Sequence, residues 1–225
     1  MDSTEPARAA VVRDCLGVGL AVGLYGAAFG AAGIAAGLGV AQTCALSLLM
    51  FTGASQFALV GVLGAGGAPL AAVASALMLG SRNTLYGLRL ARPLGWRGLR
   101  RVLAAHGVID ENTAMALAAP TPATLRLAFT VTGTSLFVGW NLSTLAGALG
   151  SELLAFPAAQ AALDAVVPAA FLALLWPRLR ASRRDRTVAL GGALIALALT
   201  PIVNPGLQVI LAAAAVGLGW IGRAP

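Results

Sequence analysis

The pattern of apolar and polar positions divides the chain into long uncharged stretches separated by short arginine-rich ones. No charged residue lies between Asp14 and Arg82, a run of 67 positions. Positions 127–151 are also uncharged, and so are the 36 positions 187–222. About 20 apolar residues suffice for one membrane-crossing helix. The pattern therefore predicts an all-α, polytopic integral membrane protein of seven spans, at about 16–38, 42–65, 69–90, 127–149, 160–177, 187–203 and 205–222. Six spans are the alternative, if the last run forms one helix broken around Pro201, Asn204 and Pro205. Residues 1–14 read as a tail whose mixed charges do not fit a signal peptide. Residues 102–122 are too polar to cross and are bounded by Pro120 and Pro122; they predict a cytoplasmic or re-entrant helix.

Composition sharpens this reading. The chain is 59% hydrophobic and only 10% charged, against about 25% charged in soluble domains. That excludes an ordinary soluble domain and a disordered chain. The net charge of +7 does not point to nucleic acid, because it lies in clusters between apolar runs. All 15 basic residues are arginine. Two clusters stand out: Arg89, Arg92, Arg97, Arg100 and Arg101, then Arg178, Arg180, Arg183, Arg184 and Arg186. Short arginine-rich loops stay in the cytoplasm. An even number of crossings then separates the clusters, with the connector near Glu152 outside and the C-terminus inside. The expectation is a single permease domain over 1–225, multi-pass in the cell membrane.

Within the apolar runs, Gly23, Gly26, Gly30 and Gly33 fall along one helical face, a signal for close helix packing in lipid. Thr52–Phe57 echoes Thr132–Phe137, which suggests an internal repeat; chance similarity among small residues is the alternative. Thr52, Ser55 and Gln56 share a face beside Gly53, a helix-loosening residue. A loosened polar point inside a span is where transporters expose backbone to a substrate; interhelical hydrogen bonding is the bland reading.

Arg82 lies inside the third span, with Tyr86 and Arg89 on its face. An intramembrane arginine is costly and points to function unless it snorkels to the interface. Asn141 is a further polar contact beside Trp140. Asp110 and Glu111 are candidates for gating or proton coupling, or a solvated pair among arginines. Asp164 is a third candidate, or a helix cap. His106 reads as a surface histidine, with proton relay as the alternative. Cys15 and Cys44 read as small buried hydrophobes. No metal spacing, phosphate loop or dinucleotide motif occurs. Ser55 has no histidine on another span to serve as its base. The expectation is therefore no enzyme, no cofactor, no metal and no nucleic acid.

Residues 51–94 resemble the AzlC family, the large subunit of branched-chain amino acid exporters. The first element is Gly53-Ala54-Ser55-Gln56-Phe57, and the second is Ser81-Arg82-Asn83-Thr84-Leu85-Tyr86-Gly87. Asp110-Glu111 with Thr113, Trp140-Asn141 with Thr144, and Ala169-Ala170-Phe171 with Leu175 and Pro177 also fit, in order along nearly the whole chain. Two positions depart: Gly80 stands where the family has asparagine, and Asn83 where it has histidine. The resemblance implies secondary, proton-driven export of branched-chain amino acids, with a small hydrophobic AzlD-like partner subunit. It implies that Gly53, Ser55, Gln56, Arg82, Tyr86 and Asn141 face the substrate. A non-transporting membrane scaffold and an exporter of another small solute are the alternatives.

Overall fold

The computed structural model describes residues 5–153, 179–203 and 211–219, with Leu172 and Trp176. Asp164 and most of the predicted spans 160–177 and 205–222 lie outside the described residues. Every regular element among the described residues is helical. These are α1 (Glu5–Leu24), α2 (Gly26–Ala35), α3 (Val40–Leu49), α4 (Gly53–Gly64), α5 (Pro69–Leu94), α6 (Gly98–His106), α7 (Asp110–Ala118), α8 (Pro122–Leu153) and α9 (Arg183–Leu199), then a 3-10 turn at Ala213–Gly219.

Three expectations change. The tail is already helical from Glu5. The span 42–65 is two helices, because the backbone leaves helical geometry at Met50 (φ −115°, ψ 72°) and Thr52 (φ −155°, ψ 102°). The single helix over 102–122 is likewise two, α6 and α7, parted at 107–109. Asn112 stabilises that second start: its Oδ1 accepts from the Ile109 N–H (3.1 Å) and its Nδ2 donates to the Gly107 carbonyl (2.6 Å). The echoing hexapeptides also differ in form. Residues 52–57 open a helix after a break, whereas 132–137 lie within unbroken α8.

Helix α8 is the rail on which the fold is assembled, with α1, α2 and α7 packed along it, while α4 pairs with α5. Glycine makes the α8 contact close. A Cβ added at Gly26 would meet the Trp140 carbonyl, at Gly30 the Thr144 carbonyl, and at Gly23 the Gly139 Cα at 3.1 Å. On the other side, a Cβ at Gly147 would meet the Ala27 carbonyl. Gly33 departs from this face and meets Thr43 of α3. The glycine stripe is therefore mainly a backbone-to-backbone contact, as its spacing suggested.

An apolar core around Phe29, Phe57, Leu90 and Trp140 is joined by small buried polar groups, and many large apolar side chains lie outside it. Thr43, Ser47, Ser55, Gln56, Ser75, Asn112, Thr132 and Thr144 are buried, while Leu24, Leu49, Leu70, Leu77, Leu88 and Leu99 are largely exposed. One described helical stretch, Arg8–Ala35, is long and apolar enough to cross a membrane. Helices α5 and α8 are 26 and 32 residues long, but α5 carries Arg82, Arg89 and Arg92, and α8 is rich in Ser and Thr.

Candidate functional site

The site grows from the break between α3 and α4. A helix ends with unpaired carbonyls, and here side chains from elsewhere take them up. Gln56 Nε2 donates to the Met50 carbonyl (2.6 Å) and reaches the Ser47 carbonyl at 3.4 Å. His106 Nε2 donates to the Leu48 carbonyl at 3.0 Å. The remaining polar atom of the amide, Gln56 Oε1, accepts from Trp140 Nε1 at 2.9 Å. Gln56 is wholly buried. Its hydrogen bonds are spent within the protein, clamping the break. His106 belongs to the same brace.

Across from the break, α7 begins with Asp110 and Glu111. Arg82 Nε donates to Asp110 Oδ1 at 3.1 Å, and Arg82 Nη2 contacts Asp110 Oδ2. Tyr86 Oη donates to Asp110 Oδ1 at 2.8 Å. One turn of α5 thus presents two donor groups to one carboxylate, with a two-pronged guanidinium fixing its plane. Arg82 Nη1 also donates to the Leu79 carbonyl at 3.3 Å. Arg82 is therefore held by partners on α5 and α7. Asp110 sits in the first turn of α7, where the helix dipole favours negative charge.

A small cavity of about 50 Å³ joins the two helix starts. Thr52, Gly53 and Ala54 line it from α4, Asp110 and Glu111 from α7, and Tyr25, Leu136 and Trp140 close it. The carboxyl of Glu111, the residue after Asp110, is largely buried. Burial pushes that carboxyl above the usual carboxylate range, and the neighbouring Asp110 adds to the rise, against a backbone hydrogen bond and the Arg82 charge. Helix α7 has nine residues and is too short to cross.

Other expected residues stand nearby. Ser55 is buried against α5: a Cβ at Gly80 would lie 3.1 Å from Ser55 Oγ, which has no hydrogen-bond partner among the described residues. Glycine at position 80 thus lets α5 approach the Ser55 hydroxyl closely. Asn141 Nδ2 donates to the Phe137 carbonyl at 2.8 Å, while its Oδ1 is buried without a partner. Asn141 does not line the small cavity. Sequence reasoning passed over Tyr25, Phe51 and Ile109. The signal that could have found the break is Thr52 before Gly53, a helix-start residue inside an apolar run.

A family model described as "AzlC protein" matches residues 17–154. No curated protein and no solved structure matches the chain.

Proposed function

The chain belongs to the AzlC family, and on that premise we propose that it is the large subunit of a branched-chain amino acid exporter. The family is membrane-associated and tied to transport. In this reading the protein crosses the cell membrane several times, is driven by the proton gradient, and works with a small AzlD-like subunit. The large exposed leucines support a lipid setting, since lipid accepts them, and the buried Ser47 and Thr144 hydroxyls pair between helices.

The observation that carries the reading is the Arg82–Asp110–Tyr86 cluster at the edge of a cavity between two helix starts. A neutral amino acid brings one carboxylate and one ammonium. Its carboxylate takes the place of Asp110 on Arg82 and Tyr86, and its ammonium takes the freed Asp110. No charge is left unpaired in the exchange, which avoids the large cost of a lone buried ion. First-turn N–H groups of α4 add positive potential for the carboxylate. Glu111, with its raised proton affinity, carries the coupled proton. Gln56 holds the break in position rather than touching substrate. Val22, Ile109 and Leu136 receive the aliphatic tail. The present cavity, about 50 Å³, is far below the roughly 300–1,000 Å³ of small-molecule sites, so in this reading substrate binding moves the 50–52 segment outward.

The test is leucine, isoleucine and valine uptake into inside-out vesicles holding this chain with its partner, with and without an imposed pH gradient. Uptake that needs both the gradient and the partner is expected. Absence of transport by the co-expressed pair overturns the exporter and favours the scaffold.

A further inference from the structure

A second, larger cavity of about 550 Å³ lies beside the first, between α6, the start of α7 and α8. Its volume falls within the range of roughly 300–1,000 Å³ typical of small-molecule sites, whereas the inner cavity does not. Its walls are aromatic: Phe51, Trp96, Phe129 and Phe137. Thr130 and Thr134 of α8 offer hydroxyls along it, and exposed Arg100 supplies a cation at the rim.

One residue belongs to both cavities. Phe51 lines the large one and the small one. It sits inside the 50–52 break, where the backbone is not locked in a helix. Its ring is buried and packs edge-to-face on Phe137, with centroids 4.9 Å apart. Phe51, in a break of the local backbone, is thus the lining residue that the charged inner cavity and the aromatic outer one share.

We propose that the outer cavity is a second amino-acid subsite, holding an apolar side chain against Phe129, Phe137 and Trp96 and the carboxylate near Arg100, with Phe51 as the partition between it and the Arg82–Asp110 site. The proposal rests on the exporter reading for the identity of the ligand. The walls reject a lysine-like side chain, because the aromatic lining offers its charge no partner and Arg100 repels it. They favour leucine over glycine by the apolar area that leucine buries.

The experiment uses the full chain with its partner in membrane vesicles, with Cys15 and Cys44 replaced by serine. Thr134→Cys reports the outer cavity and Thr52→Cys the inner one, each read as the rate of reaction with a membrane-impermeant maleimide. Leucine at about ten times its Kd should slow labelling at position 134 roughly tenfold, because the free fraction falls as 1/(1+[L]/Kd). Glycine at the same concentration should not. Arg100→Gln should weaken the leucine effect severalfold. Phe51→Ala should speed labelling at position 52, and Phe51→Trp should abolish export and leucine protection at position 52 while keeping protection at 134.

Intact export with no leucine effect at position 134 overturns the outer subsite and leaves the exporter standing. Leucine protection at 134 without export supports the subsite and removes the exporter. Loss of both removes both. Protection that follows the lipid acyl composition and ignores leucine assigns the cavity to lipid and overturns the subsite. Unchanged labelling at position 52 in Phe51→Ala overturns the partition.

Discussion

Gln56 replaces the bonds that a continuous helix would have made. It is held by one acceptor bond from Trp140 and donates to carbonyls stranded at the end of α3. Gln56→Glu keeps the volume and the Trp140 contact but has no N–H to give. A stranded buried group costs about 1–3 kcal/mol, so the variant should melt several degrees lower in detergent; equal stability would contradict the clamp. Arg82 makes a different demand. Its two-pronged contact with Asp110 requires a planar fork, which lysine lacks. Arg82→Ala and Arg82→Lys should both lose export in vesicles while reaching the membrane in normal amount, and wild-type export by either would remove Arg82 from the mechanism. Glu111 gives a pH test. Its proton affinity is raised in the fold, so its ionised form destabilises the folded state. That cost is absent at pH values where the unfolded carboxyl is still protonated, and grows as pH rises through the folded-state value. Glu111→Gln should therefore stabilise the protein increasingly as pH rises from acidic to neutral, and match wild type in acid. A stability difference independent of pH would refute this.

At the level of elements, close packing on α8 depends on glycine where backbone meets backbone. Gly30 faces the Thr144 carbonyl, whereas Gly17 on the same helical run has nothing within 4 Å of an added Cβ. Gly30→Ala should cost about 1–3 kcal/mol through overpacking, and Gly17→Ala should be neutral or slightly stabilising. Thermal melts of the two variants side by side check this, and equal losses would mean that helix propensity rather than contact sets the effect. The paired breaks at 50–52 and 107–109 show a second element-level device. Each is stabilised by a side-chain amide, Gln56 in one and Asn112 in the other. Each leaves a helix start facing the small cavity, so two sets of N–H dipoles converge where charge is to be handled.

For the whole molecule, the arginine clusters set the expected orientation. They predict that Gly98 and Ser182, replaced singly by cysteine, react with impermeant reagents only from the cytoplasmic side. Reaction from outside at either position would reverse the topology and move the aromatic cavity to the opposite face. With the expected orientation, the Arg100 rim opens toward the cytoplasm, where an exporter collects its substrate. The large exposed leucines on α5, among them Leu70, Leu77, Leu85 and Leu88, then face lipid or the partner subunit.

The sequence by itself determined the helical class, the positions of the apolar runs and the identity of the charged candidates. Arg82 and Tyr86 stood out as candidates because a charge or a large polar group inside an apolar run is a local anomaly, and Asp110 and Glu111 because they are an acidic pair in a polar segment among arginines. It did not reveal that the 42–65 run is broken, because an average of hydropathy over a span is unchanged when two residues leave helical geometry. Nor did it pair Arg82 with Asp110, 28 positions later, or turn Gln56 inward onto its own chain. Those outcomes depend on which helix faces which, and that was settled by glycines letting α1 and α2 lie against α8. The approach of backbones brought Trp140 to Gln56 and α7 to α5. Only then did the Asp110 carboxylate, held by the Arg82 guanidinium, come to line one cavity with the start of α4, because a contact between residues far apart in sequence exists only once the helices that carry them are packed.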